Sequence, residues 1–187
     1  AKFFFPETST VLDIGGQTMK ASRLDPNGKV EAFRMNDKCA AGTGAFLEKT
    51  ARYMGYNTQE IGPLMESSRK SVPISGVCAV FAESEVINHL SLGIPPSDIM
   101  QGAVESLTAR SVQLMRRIKG QPEYTLIGGL MRFKNMAPTV ASVLGTKVTV
   151  PPDGDCQFAC AVGAAHLAQT RLKKQELSGG QDRPATI

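Results

Sequence analysis

The order of the periodic segments constrains this chain more than any other feature. Three short strand-like runs come first, Thr10 to Ile14, Thr18 to Leu24 and Lys29 to Met35, and the last two are joined by Asp25-Pro26-Asn27-Gly28, a sequence with turn chemistry. That arrangement predicts an antiparallel meander. Helical spacing follows, with Phe46, Leu47, Thr50, Ala51 and Met54 on one face before Gly55, and Ala103, Leu107, Leu114 and Ile118 on another before Gly120. Ser97 is the expected cap of the longer helix. Tyr124 to Ile127 reads as a buried strand, Asn135 to Leu144 as a helix, Lys147 to Val150 as a strand and Phe158 to Lys173 as a last helix. Three strands followed by alternating helices and strands give an α/β layout, a mixed sheet expected to be covered on both faces.

With 187 residues, 42% of them hydrophobic, the chain can bury the core of one domain, here 1–174, followed from Gln175 by a polar tail, 175–187. Its net charge of +4 comes from no dense basic run with interleaved aromatics, which argues against nucleic acid as a partner. Arg116, Arg117 and Lys119 fall at a helix end, where cations are favourable for local reasons. No apolar run is long enough to span a bilayer, and Phe3 to Phe5 is too short for a signal-peptide core, so a cytoplasmic, reducing location is expected. Free or metal-bound thiols then outrank disulfides.

Three glycine clusters and two cysteines carry the candidate chemistry. Asp13-Ile14-Gly15-Gly16-Gln17-Thr18 sits between the first two strands. Its glycines let backbone N–H groups approach an anion, Asp13 can hold Mg²⁺ through water, and Gln17 can position water or a phosphate oxygen. A tight hairpin turn explains the glycines equally well. Gly128-Gly129 follows the fourth strand, where bulk is excluded so that a flat ring, a helix or neighbouring backbone can come close. Gly42-Thr43-Gly44 opens the helix after Cys39. Cys39 and Cys78 each stand where a loop turns into a helix, and together they make half of a four-thiolate site. A cysteine without flanking motif is more often a small buried apolar residue. Cys156 and Cys160 have spacing that suits one helix face and read as packing thiols. His89 and His166 lie within helical segments without partners at metal spacing. Leu177-Ser178-Gly179-Gly180-Gln181 spells an ABC-transporter signature, but the chain has no Gly-x-x-x-x-Gly-Lys-Ser/Thr loop, so the match is chance.

Asp13 to Thr18, Asn36 to Gly44 (Asn-Asp-Lys-Cys-Ala-Ala-Gly-Thr-Gly), Ser75 to Val86 (containing Val-Phe-Ala-Glu-Ser-Glu-Val), Gly128-Gly129 and Ala161 to Ala165 resemble, in order and spacing, one ATPase family. It comprises the 2-hydroxyacyl-CoA dehydratase activators and the nucleotide-binding subunits of ATP-dependent benzoyl-CoA reductase. The resemblance implies a ribonuclease H-like lobe of the actin, Hsp70 and acetate-kinase type, with ATP or ADP and Mg²⁺ between two lobes. It also implies a dimer sharing one 4Fe-4S cluster through Cys39 and Cys78 of each subunit. By the same resemblance Asp13, Gly15, Gly16, Gln17, Thr18, Gly42, Thr43 and Gly44 face phosphate and metal, and Gly128 and Gly129 flank the adenosine. The implied activity is ATP-driven, low-potential electron transfer. The implied partners are a second copy or related subunit across the cluster, a donor such as ferredoxin, and electron-accepting subunits that bind the CoA thioester.

Nothing in the chain matches the Asp-x-Gly-Ser/Thr phosphate loop of the family's first lobe, so the expectation is a second lobe only, and hydrolysis by this polypeptide alone is in question. Thr18 stands where the activators usually carry a carboxylate. With Phe33-Arg34-Met35 and Ala45 to Lys49, it tilts the reading toward the benzoyl-CoA reductase type, with a dehydratase activator as the alternative. A small-molecule kinase of the same superfold and a module dimerised through zinc are the readings from other classes.

Overall fold

The computed structural model describes residues 1–36, 43–75 and 79–177. β1 (Thr10–Ile14), β2 (Met19–Leu24) and β3 (Val30–Asn36) form the expected meander, and β4 (Tyr124–Ile127) and β5 (Val148–Thr149) extend it in parallel on the far side of β1, giving the order β3-β2-β1-β4-β5. Alternation decides which face is buried. Leu12, Ile14, Met19, Ala21 and Leu126 are fully buried, with Leu12 opposite Ala21 on one side and Leu126 on the other. Against this face lies α4 (Pro96–Arg117), 22 residues or roughly 33 Å long. Its Ile99, Ala103, Leu107, Leu114 and Met115 recur at helical spacing and are buried.

α1 (Gly44–Tyr53), α2 (Ile61–Ser67) and α3 (Ala79–Ser91) share the α4 side, and α5 (Met136–Leu144) packs on α4 and β5. α6 (Ala159–Leu177) stays mostly exposed and carries the helix through Gln175 to Leu177, beyond the expected end at Lys173. The expectation of a sheet covered on both faces holds over β4, where Thr125 and Ile127 are buried on the side away from α4, and fails toward β3. Phe33 and Met35, in register with Ser22 and Lys20, are 47% and 41% exposed, while α6 packs on the Asp155–Gln157 turn and meets Phe3 through His166.

Two local expectations also change. Pro95, not Ser97, is the N-cap of α4, with Pro96 in the first turn, where its missing N–H costs nothing. Asp98, two positions further on, accepts from the Ser68 hydroxyl at 2.9 Å and from the Arg69 and Lys70 amides at 3.0 and 3.2 Å. It thereby anchors the stretch that runs from α2 toward α3. The Lys70 amide foremost, with Ser68 and Arg69, holds the Asp98 carboxyl below its usual range. Cys156 lies in the Asp155–Gln157 turn and is buried, whereas Cys160 is exposed on α6, so only the first is a packing thiol. Burial pushes the Cys156 thiol up.

Gly128 shows what the close packing demands. Its φ is +100°, and a Cβ there would stand 2.6 Å from Asp13 Oδ1 and overlap the Ile14 carbonyl oxygen. Gly128→Ala combines left-handed strain with that overlap and should cost about 3 kcal/mol or more. Leu12→Ala, a cavity under the sheet centre, should cost about 3 kcal/mol; equilibrium urea unfolding measures both. The depressed Asp98 value stabilises the fold above the ordinary carboxylate range near ~4, and this contribution fades as pH falls through the folded value. Melting temperatures of wild type and Asp98→Asn should differ at neutral pH and converge in acid.

Candidate functional site

Three chain reversals built on glycine meet at one point. The β1–β2 turn closes through the Gly15 amide donating to the Thr18 carbonyl at 2.9 Å. The first turn of α1 is fastened to it, the Gly44 amide donating to the Gly15 carbonyl at 3.0 Å and the Ala45 amide to the Gly16 carbonyl at 2.7 Å. A Cβ at Gly44 would lie 2.6 Å from Leu130 Cδ1 and 3.2 Å from Gly16 Cα, so a side chain here would displace Leu130 and crowd the turn. The third reversal is Gly128 and the short Gly129–Arg132 helix, held from behind by the Gly128 amide donating to the Cys156 carbonyl at 2.8 Å.

Gly16, Gly44 and Gly129 open onto a single pocket of about 540 Å³. Ile61, Leu130 and Phe133 give it an apolar wall, while Glu48, Arg132 and Lys134 add charge at its edge. Its composition, apolar wall beside a backbone-rich corner, suits a ligand with a flat apolar part and an anionic part. At the tip of the β1–β2 turn Gly16 and Gln17 are exposed, and among the described residues no carbonyl receives their amides. Two adjacent amides without carbonyl partners can serve an anion.

The individual expectations fall out as follows. Asp13 is partly exposed at the strand end, with one oxygen against Gly128 and the other 3.3 Å from Lys20 Nζ. Thr18 accepts from the same ammonium at 2.7 Å, so its side chain serves the hairpin. Thr43 is buried at the N-cap position of α1. Gly42, Cys39 and Cys78 lie outside the described residues. Among the described residues, no three or more His, Cys, Asp or Glu side chains gather in a metal-sized group. His89 Nε2 stands 3.1 Å from the Pro73 carbonyl, and the His166 ring lies 5.5 Å from that of Phe3.

Sequence reasoning missed α2, which supplies Ile61, Gly62, Pro63 and Glu66 to the pocket. The signal was present: Asn57 and Glu60 form a capping box ahead of Ile61, Leu64 and Met65 at helical spacing. It also missed Arg132 and Lys134. No helix among the described residues is long and apolar enough to cross a membrane.

Comparison with known proteins gives this architecture a lineage. The activator of lactoyl-CoA dehydratase from Anaerotignum propionicum is 41% identical over 173 residues, which span 92% of this chain but 66% of that protein. A subunit of the benzoyl-CoA reductase from Thauera aromatica is 36% identical over 185 residues, covering 97% of this chain and 66% of its own. The solved activator of the 2-hydroxyisocaproyl-CoA dehydratase from Clostridium difficile, with bound ADPNP, superimposes with a TM-score of 0.87 at 38% identity, over 100% of this chain and 68% of its own. A sugar kinase and an actin-like MreB share the fold at 15% and 14% identity, with TM-scores of 0.51 and 0.54. The chain thus spans about two thirds of the length of the curated relatives it matches. The preference for the reductase type gives way to the activator, to which identity is higher, 41% against 36% for the reductase subunit. The model of the BadF/BadG/BcrA/BcrD ATPase family matches residues 1–168, and the chain, with the strand order and glycine-built corner described above, belongs to that family.

Proposed function

We propose that this chain is the second lobe of an ATP-dependent activator of a 2-hydroxyacyl-CoA dehydratase, passing low-potential electrons through a cluster shared with a second copy. The observation that carries the nucleotide half is the meeting of Gly16, Gly44 and Gly129 at one pocket, beside the Gly16 and Gln17 amides that no carbonyl among the described residues receives. In this reading those amides would take phosphate oxygens, Asp13 and Gln17 would hold Mg²⁺ through water, and Gly129 would leave room for the adenosine, while Gly128, expected to flank it too, packs instead against Ile14 and Asp13. Ile61, Leu130 and Phe133 flank the base. Lys20, 3.3 Å from Asp13, pairs with the carboxylate that would also hold the metal ion. The likeness to the activator solved with ADPNP supports this assignment.

For the cluster, the fit rests on the helices that follow the two cysteines in sequence. α3 begins at Ala79, directly after Cys78, and α1 begins five residues after Cys39; the two helices pack together. Helix N-termini offer unpaired N–H groups and a positive dipole end, which favour thiolates and an anionic group bound to them. A bound 4Fe-4S cluster supplies one-electron transfer. Two cysteines per chain account for half of its ligands, so the second copy is part of the site.

An anaerobic preparation should be brown and contain iron and acid-labile sulfide, and Cys39→Ala and Cys78→Ala should each lose both, while Cys160→Ala keeps them. A colourless wild type without iron would sink the cluster reading, and zinc without sulfide would favour the zinc-dimerised module. Mass spectrometry of co-purifying subunits separates activator from reductase.

A further inference from the structure

The nucleotide corner and α3 are joined by a small polar clasp. α1 begins at the β1–β2 turn, to which its Gly44 and Ala45 amides are bonded, and its Glu48 lines the pocket. The next residue, Lys49, places Nζ 2.7 Å from Glu83 Oε2 on α3. One turn along α1, the Tyr53 hydroxyl donates to the other oxygen of the same carboxylate, Oε1. The Lys49 ammonium also stands 5.5 Å from the centre of the Tyr53 ring. Both oxygens of Glu83 are therefore held from α1, by two residues spaced one turn apart.

The neighbouring contacts tie α3 to both of its flanks. Leu47 and Ala51 of α1 and Ala82 and Val86 of α3 are buried in one core beneath the clasp. From its other side α3 reaches the 71–75 stretch, where the Glu85 carboxylate accepts the Ser75 amide and His89 meets the Pro73 carbonyl. Glu83 lies one helical turn from the start of α3, and Lys49 about one and a half turns from the start of α1. The clasp thus joins the middle and C-terminal end of α1 to the first turns of α3, the end that follows Cys78 in sequence.

We propose that Glu83, gripped by Lys49 and Tyr53, is a positioning residue that transmits nucleotide occupancy at the Gly16–Gly44 corner from α1 to α3. The inference rests on the nucleotide-site reading above. A carboxylate held at both oxygens fixes orientation as well as distance, which a single contact does not. Because Lys49 is 60% and Glu83 29% exposed, the clasp adds little to global stability, so its loss is felt in coupling rather than in folding.

Hydrogen–deuterium exchange on the complete protein that carries this sequence, with and without a non-hydrolysable ATP analogue, tests this. In wild type the analogue should change exchange in both 43–53 and 79–91, by about fivefold or more, the low end of ordinary coupling between sites. In Glu83→Gln and in Tyr53→Phe the 43–53 response should persist and the 79–91 response should fall away, with melting temperatures within about 4 °C of wild type. The charge-exchanged pair Lys49→Glu with Glu83→Lys should restore part of the 79–91 response, which a purely structural role would not do. If Glu83→Gln does not fold, Tyr53→Phe carries the test alone. An unchanged 79–91 response in these variants overturns the clasp. Loss of the 43–53 response in wild type instead overturns the nucleotide-site reading, and the inference with it.

Discussion

Backbone-to-backbone contact at glycine is the constraint on which the rest of this lobe depends. At Gly128 the approach of the Ile14 carbonyl excludes a side chain, and amide-to-carbonyl bonds from Gly44 and Ala45 fasten the start of α1 to the β1–β2 turn. The sheet sets up the encounter. Parallel pairing of β1 with β4 brings Ile14 and Gly128 to the same sheet end, and the antiparallel return of β2 folds Gly15 and Gly16 over the strand ends. A binding corner made of main chain keeps its shape whatever rotamers surround it, and the side chains are left to provide the apolar wall and the charges around it.

The same economy of contacts explains how a rigid corner can be heard elsewhere in the lobe. α1 is short, ten residues, and is bonded at one end to the glycine turn and along its side to α3. α3 in turn is tied to the 71–75 stretch, which Asp98 anchors to the start of α4 through residues 68–70. The two glutamates of the Val-Phe-Ala-Glu-Ser-Glu-Val string divide this labour: Glu83 faces α1 and Glu85 holds Ser75. A string that the sequence presents as a signature acquires a mechanical meaning.

Much of this was legible in the residues alone. Strands β1 to β3 showed their two-residue period and their turn chemistry, and Gly128-Gly129 was recognisable as a place where bulk is excluded. The reason for that exclusion was not, since the partner atoms, the Ile14 carbonyl and Asp13, are more than a hundred residues away in sequence. α2 escaped notice because Gly62-Pro63 reads as a breaker, although proline is tolerated in a first helical turn. Arg132 ends a short tight helix after a glycine reversal and Lys134 lies just beyond it, where no periodicity marks a pocket. The open sheet face was hidden as well: β3 carries Ala32, Phe33 and Met35 on alternating sides, so its composition suggests burial that the packing does not supply.

The central claim is that the glycine corner and its apolar wall form a nucleotide site, and photolabelling addresses it most directly. An azidoadenine analogue of ATP, crosslinked to the complete protein and mapped by peptide sequencing, should label the segments 58–66 or 129–134, and excess ADP should abolish the label. Labelling confined to other segments, or labelling that ADP leaves unchanged, would contradict the account.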